Sequence, residues 1–278
     1  ADGSGEPATV NGAQKEEVLA YRIRYVKSGA MRFLGHRDMI SVINRAFVAS
    51  SFPLAYTKGF HPSPRFSFGP PLPFGVIGES EFFDVAASCP VAPGLFSSIN
   101  AFLPQGLSIV GAGETGPAGT SLNVLIEGGR YVFTPLFDCT REELARICDE
   151  AMNTPEITVA TAPDTTDAGR QTVKNIRPLI RHCSVVENDS RWGIEAVLSL
   201  LPKATCRPSE FVAGVFPGRR FADVIVTRKE CLKSEGDKLV PVVTVNKQPH
   251  PNSPVSQARP PSPTERGEEG HLPALSLR

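Results

Sequence analysis

The chain has 278 residues, is 41% hydrophobic and 21% charged, and carries 29 basic against 29 acidic side chains. A wholly disordered chain would be more charged and less apolar, so that class is excluded, and the length suits about two domains of ordinary size. No apolar run reaches the ~18 residues that a transmembrane helix needs.

Residues 1–18 are small and polar without an apolar period, and predict a linker or tail. Tyr21 to Val26 alternates as a half-buried strand does. From His36 to Ser50, Met39, Ile40, Val42, Ile43, Ala46 and Phe47 recur at helical spacing and give one apolar face. Arg65 to Phe68 and Glu81 to Ala86 read as two further strands. Pro93-Gly94 opens a second helix with Leu95, Phe96, Ile99 and Phe102, and Gly106 to Val110 is a fourth strand. The Gly-rich stretch 111–120 reads as a hinge.

The order then repeats. Tyr131 to Phe133 predicts a strand, and Thr140 with Glu143 forms a capping box that starts a helix with Leu144, Ile147, Cys148 and Met152 on one side. A polar excursion at 163–169 precedes two long strands at 172–187 and 191–201. Pro208 suits the first turn of a short helix, and Phe221 to Cys231 is a last strand. The expected fold is α+β, with two tandem ferredoxin-like β-α-β-β-α-β units at 19–112 and 121–235. A Pro/Ser-rich disordered tail is expected at 236–278, apart from a short edge strand within 239–245.

The N-terminus has neither the basic nor the apolar region of a signal peptide. The start at Ala1, without methionine, predicts a chain that is processed or cut from a longer polypeptide. The six cysteines are scattered as single thiols, which predicts a cytoplasmic location. No metal-ligand spacing, iron–sulfur motif, P-loop or dinucleotide fingerprint is present.

Charge is unevenly placed. Between Tyr21 and Phe68 stand Arg22, Arg24, Lys27, Arg32, Arg37, Arg45, Lys58 and Arg65 against the single acid Asp38, a local net charge of 8 − 1 = +7. That asymmetry predicts an anionic partner such as RNA, unless it is only a solvated face. Arg22 and Arg24 share one strand face and predict a basic platform on the open side of the sheet. Lys58, His61 and Arg65 flank a loop stiffened by Pro62 and Pro64 and are expected to converge. His36 and Asp38 stand at a helix start, where an anion is favoured and where Asp38 also complements the helix dipole. Glu79 and Glu81 are two apart on a strand, a weak signal for acid–base work. The candidate ligand-binding residues are therefore Arg22, Arg24, His36, Asp38, Lys58, His61 and Arg65, with no metal ligands and no catalytic residue assigned.

The strings Tyr21-Arg22-Ile23-Arg24-Tyr25, Arg32-Phe33-Leu34-Gly35-His36-Arg37-Asp38 and Lys58-Gly59-Phe60-His61-Pro62 with Pro64-Arg65-Phe66-Ser67-Phe68 resemble the radical-SAM-linked proteins. Pro71-Leu72-Pro73-Phe74-Gly75 and Glu81-Phe82-Phe83-Asp84 continue the resemblance, and Asn175 to Ile180 and Arg207-Pro208 extend it weakly. Gly35 stands where members often have Ser, which leaves no role for a hydroxyl there. The resemblance implies a bacterial domain of unknown function, encoded beside or fused downstream of a B12-binding radical SAM protein. The iron–sulfur cluster, S-adenosylmethionine and cobalamin would belong to that partner, with no cofactor on this chain. The expected role is a non-catalytic substrate-recognition or docking module that presents an anionic substrate such as RNA. The alternative is a stand-alone RNA-binding or RNA-processing protein with His61 and His36 as acid and base.

Overall fold

The computed structural model describes residues 18–115, 120–161 and 172–243. The tail expected at 1–18, apart from Val18, the excursion at 163–169 and the tail beyond 243 lie outside the described residues.

The first half runs β1 (Leu19–Lys27), a 3-10 turn (Gly29–Phe33), α1 (His36–Ala49), β2 (Phe66–Phe68), β3 (Ile77–Ala87), α2 (Pro93–Ser98), a second 3-10 turn (Ile99–Phe102) and β4 (Leu107–Thr115). Alternation along β1 sends Tyr21, Ile23 and Tyr25 into a core. The helical spacing of Met39, Ile43, Ala46 and Phe47 turns one face of α1 onto that core. Phe47 is its aromatic hub, with Phe52, Phe66 and Phe83 at 5.0, 5.4 and 5.7 Å. The strand order is β2-β3-β1-β4, with β1 antiparallel to β3 and β4. That is the split arrangement of a ferredoxin-like unit.

The second half runs α3 (Leu122–Leu125), β5 (Gly128–Pro135), α4 (Arg141–Asn153), β6 (Thr158–Thr161), β7 (Thr172–Asn175), a 3-10 turn (Arg177–Leu179), β8 (Ile180–Asn188) and β9 (Arg191–Leu201). It closes with β10 (Ala204–Thr205), α5 (Pro208–Val215), a 3-10 turn (Phe221–Asp223), β11 (Val224–Glu235) and β12 (Lys238–Pro241). The expected capping box starts α4: Glu143 N–H donates to Thr140 Oγ1 at 3.2 Å and Thr140 N–H donates to Glu143 Oε2 at 2.8 Å. The main strands take the order β8-β9-β5-β11, the same split arrangement as in the first half.

Two local expectations change. The strand expected over 172–187 breaks at Ile176, because Asn175 Oδ1 accepts from the backbone of Ile157 and of Arg177. β7 then pairs with β6 in a separate two-stranded ribbon. The expected hinge at 111–120 begins as strand: Gly111 to Thr115 pairs with β1, placing Gly111 opposite Arg24 and Gly113 opposite Arg22. A strand glycine leaves room for the long side chain beside it. The short edge strand expected within 239–245 is present as β12, one residue earlier at its start and paired with the end of β11.

The halves share one ten-stranded sheet, joined where β3 and β11 run parallel at Thr227–Ile77 and Arg228–Gly78. Leu72 and Val76, from the segment before β3, pack into the core of the second half. A smaller cluster of Phe82, Leu122, Ile126, Leu200, Cys231 and Val242 also draws on both halves.

Candidate functional site

The expected open platform is closed at Arg22. Its Nε and Nη2 donate to the two carboxylate oxygens of Asp84 at 2.8 and 3.0 Å, a bidentate pair. Asp84 lies beyond the 21–68 segment, so a local charge count could not include it. Arg24 stands opposite Phe82, which is itself buried against Leu122 and Ile126, so part of this sheet face is covered. The buried Nε atoms of Arg24 and Arg32 have no hydrogen-bond partner. A cationic donor left in that state gains by meeting an acceptor.

His36 begins α1 with its ring edge-on to Phe68 at 5.8 Å. Burial, and then the charge of Lys27, hold its pKa below the ordinary histidine value. The unfolded chain therefore takes up this proton first as pH falls through about 6.5. His36 thus adds stability that is present above that pH and lost as pH falls from it toward the lower folded pKa. We expect the wild type to lose more melting temperature than His36→Gln between pH 7.5 and 5.5, measured by circular dichroism; parallel curves would count against it. Asp38 is exposed in the first turn of α1, where it complements the helix dipole.

Lys58, His61 and Arg65 lie on one projecting hairpin. Its stem is held by Arg65 N–H to Ala55 O at 3.0 Å and Thr57 N–H to Ser63 O at 2.9 Å. Ser63 N–H also reaches Thr57 Oγ1 at 3.0 Å. Gly59 turns the tip at φ +140°, a conformation that glycine adopts without strain. Phe60 at that tip is 103% exposed, and Tyr56 in the stem is 49% exposed. Lys58, His61 and Arg65 are exposed and joined by no hydrogen bond or ion pair among the described residues. They share the loop, and among the described residues no hydrogen bond links His61 to His36.

Of the eight cations counted, Arg22 is consumed by Asp84, and Lys27 is buried with its Nζ donating to Leu34 O at 2.7 Å. Arg24, Arg32, Arg37, Arg45, Lys58 and Arg65 make no ion pair among the described residues. Arg37 and Arg45 are exposed on α1, and Arg32 lies 4.6 Å over the half-exposed Phe33 ring. With Asp38 as the one exposed acid, this set keeps a charge of 6 − 1 = +5.

Sequence reasoning missed the centre of the junction. Arg228 is fully buried and grips Glu81 with two hydrogen bonds, the Nε one at 2.7 Å. Its remaining donors reach Tyr131 Oη at 3.3 Å and Pro70 O at 3.0 Å. Burial works against the Arg228 charge, but Glu81 outweighs it and the guanidinium stays protonated. Burial pushes the Tyr131 phenol up to about 12 and drives the Lys27 pKa down, against the pull of Glu81. Glu79, read together with Glu81, instead faces outward and pairs with Lys229 at 2.7 Å. Arg228 and Glu81 are 147 positions apart, beyond the reach of any local pattern. A glycine signal existed: a Cβ on Gly78 would lie 2.6 Å from Glu81 Cγ.

Among the described residues, no three His, Cys, Asp or Glu side chains gather as metal ligands, and no helix is long and apolar enough to cross a membrane.

No curated protein matches the sequence. Among solved structures, a chain of the "Crystal Structure of a Cbf5-Nop10-Gar1 Complex" is similar at 10% identity and a TM-score of 0.41, over 76% of this chain and 48% of that one. The chain thus spans about half the length of that solved chain. A family model covers residues 20–208, from β1 to the start of α5. The chain therefore belongs to the family described as "Uncharacterized protein conserved in bacteria (DUF2344)".

Proposed function

We propose that this domain is a non-catalytic recognition module that binds an anionic substrate, RNA, and presents it to a radical SAM enzyme. The observation that carries the RNA reading is the set of six cations without acidic partners, two of them on a hairpin whose Phe60 is fully exposed. Cations that track phosphates beside an aromatic side chain free to stack on a base are the two parts of single-strand binding. The sequence resemblance supports the radical SAM partner, which would supply the iron–sulfur cluster, S-adenosylmethionine and cobalamin. His36 packs on Phe68 and His61 stands at the tip, so neither orients the other for acid–base work.

The test is retention of single-stranded RNA by the full chain at about 50 mM salt, with capture of a radical SAM protein from its own host. Phe60→Ala is expected to weaken RNA binding about tenfold, the scale of one lost base stack. Its melting temperature should not change, because Phe60 buries nothing. No RNA retained, together with no radical SAM protein captured, rejects the proposal.

A further inference from the structure

A cavity of about 620 Å³ opens between the 70–73 segment of the first half and the region from β9 to α5 of the second. Its size lies within the range of small-molecule sites, and its walls are mostly apolar. Pro70, Pro71, Pro73, Pro202 and Pro208 all line it. Proline fixes its own φ and offers no N–H, so these walls are rigid and free of backbone donors at those positions. A ligand entering here meets a preformed surface and pays little ordering entropy.

The polar groups are few. Tyr131 forms the floor of the cavity but is fully buried, and its hydroxyl is taken up by Arg228, so it offers the cavity no free donor. Asn123 stands exposed at the rim. No Asp or Glu is among the lining residues, and Arg207 is their one cation. The nearby carboxylate of Glu210 is already engaged by Lys174 Nζ at 2.7 Å and Arg207 N–H at 2.8 Å. The Arg207 guanidinium makes no ion pair among the described residues. Cys206 also lines the cavity, and burial pushes its thiol up to about 12, so it is a neutral wall and no nucleophile at pH 7.

We infer that this cavity binds an aromatic ring compound bearing one anionic group, of the mononucleotide class. The ring lies flat among the proline walls, Pro70, Pro71, Pro73, Pro202 and Pro208. The phosphate lies at Arg207. This goes beyond the surface reading and does not rest on it. The same chemistry is offered by a free mononucleotide and by one unstacked nucleotide of a strand.

The test is calorimetric titration of the full chain with AMP, UMP, adenosine, dodecanoate and a short single-stranded RNA. Saturable AMP or UMP binding is expected below about 1 mM. Adenosine should bind about tenfold more weakly for want of the charge-assisted contact. Arg207→Ala should weaken AMP about tenfold and leave adenosine unchanged. Asn123→Trp, at an exposed position, should close the mouth and abolish both. RNA that displaces AMP identifies the strand as the source, and RNA that binds without displacing it identifies the free nucleotide; either outcome supports the site. Absence of nucleotide binding, binding unmoved by both variants, or dodecanoate binding in place of AMP overturns it. RNA retention lost in Phe60→Ala with AMP binding intact bears on the hairpin alone. AMP binding lost in Asn123→Trp with RNA retained bears on the cavity alone.

Discussion

Replacing Arg228 by methionine is expected to cost the fold about 3–5 kcal/mol in urea unfolding, the scale for breaking one side of a buried ion pair. The loss comes less from the attraction removed than from what is left behind. Glu81 is 2% exposed and would be left buried without its bidentate partner, while Pro70 O and Tyr131 Oη would lose the donors that Arg228 supplies. Position makes the cost structural, because β3 and β11 meet over only two register pairs, one of them Arg228–Gly78. The double variant Glu81→Leu with Arg228→Met should recover much of the loss, since a buried pair replaced by apolar groups is often neutral. Recovery should be incomplete, because Lys27 would keep its buried charge without the field of Glu81 that supports it. If Arg228→Met unfolds within about 1 kcal/mol of the wild type, the pair contributes no more than a surface one.

What the sequence disclosed follows the range of each interaction. Tyr21, Ile23 and Tyr25 alternate, and Met39, Ile43, Ala46 and Phe47 recur at helical spacing, because each pattern is written within one element. The ferredoxin-like order follows from placing such elements in sequence. Arg22 misled because its partner Asp84 lies 62 positions away, so a charge that looked free is neutralised across β1 and β3. Gly111 and Gly113 misled for a related reason: glycine reads as a hinge locally, but here it sits in a strand opposite two arginines. The basic hairpin was legible, since Gly59, Pro62 and Pro64 mark a turn by their own chemistry. The complete exposure of Phe60 was not, because an aromatic residue is ordinarily taken for core.

The salt dependence of RNA binding should expose which cations are free. For single strands the log–log slope of affinity against salt is about −0.7 per neutralised phosphate. Six unpaired cations therefore limit the slope to about −4. Affinity should then fall a few hundredfold between about 50 and 200 mM salt if all six engage. Removing Arg37 and Arg45 together should flatten the slope by about 1.4, since both are exposed and unpaired. Arg22→Ala should leave the slope unchanged although it also deletes a positive charge, because that guanidinium is committed to Asp84. Fluorescence anisotropy of a labelled single strand, repeated at four salt concentrations for each variant, reads these slopes directly. A slope steeper than about −5 would require cations outside the six. A slope that flattens with Arg22→Ala as much as with Arg45→Ala would mean that the RNA opens the Arg22–Asp84 pair, so that the sheet face and the hairpin form one surface.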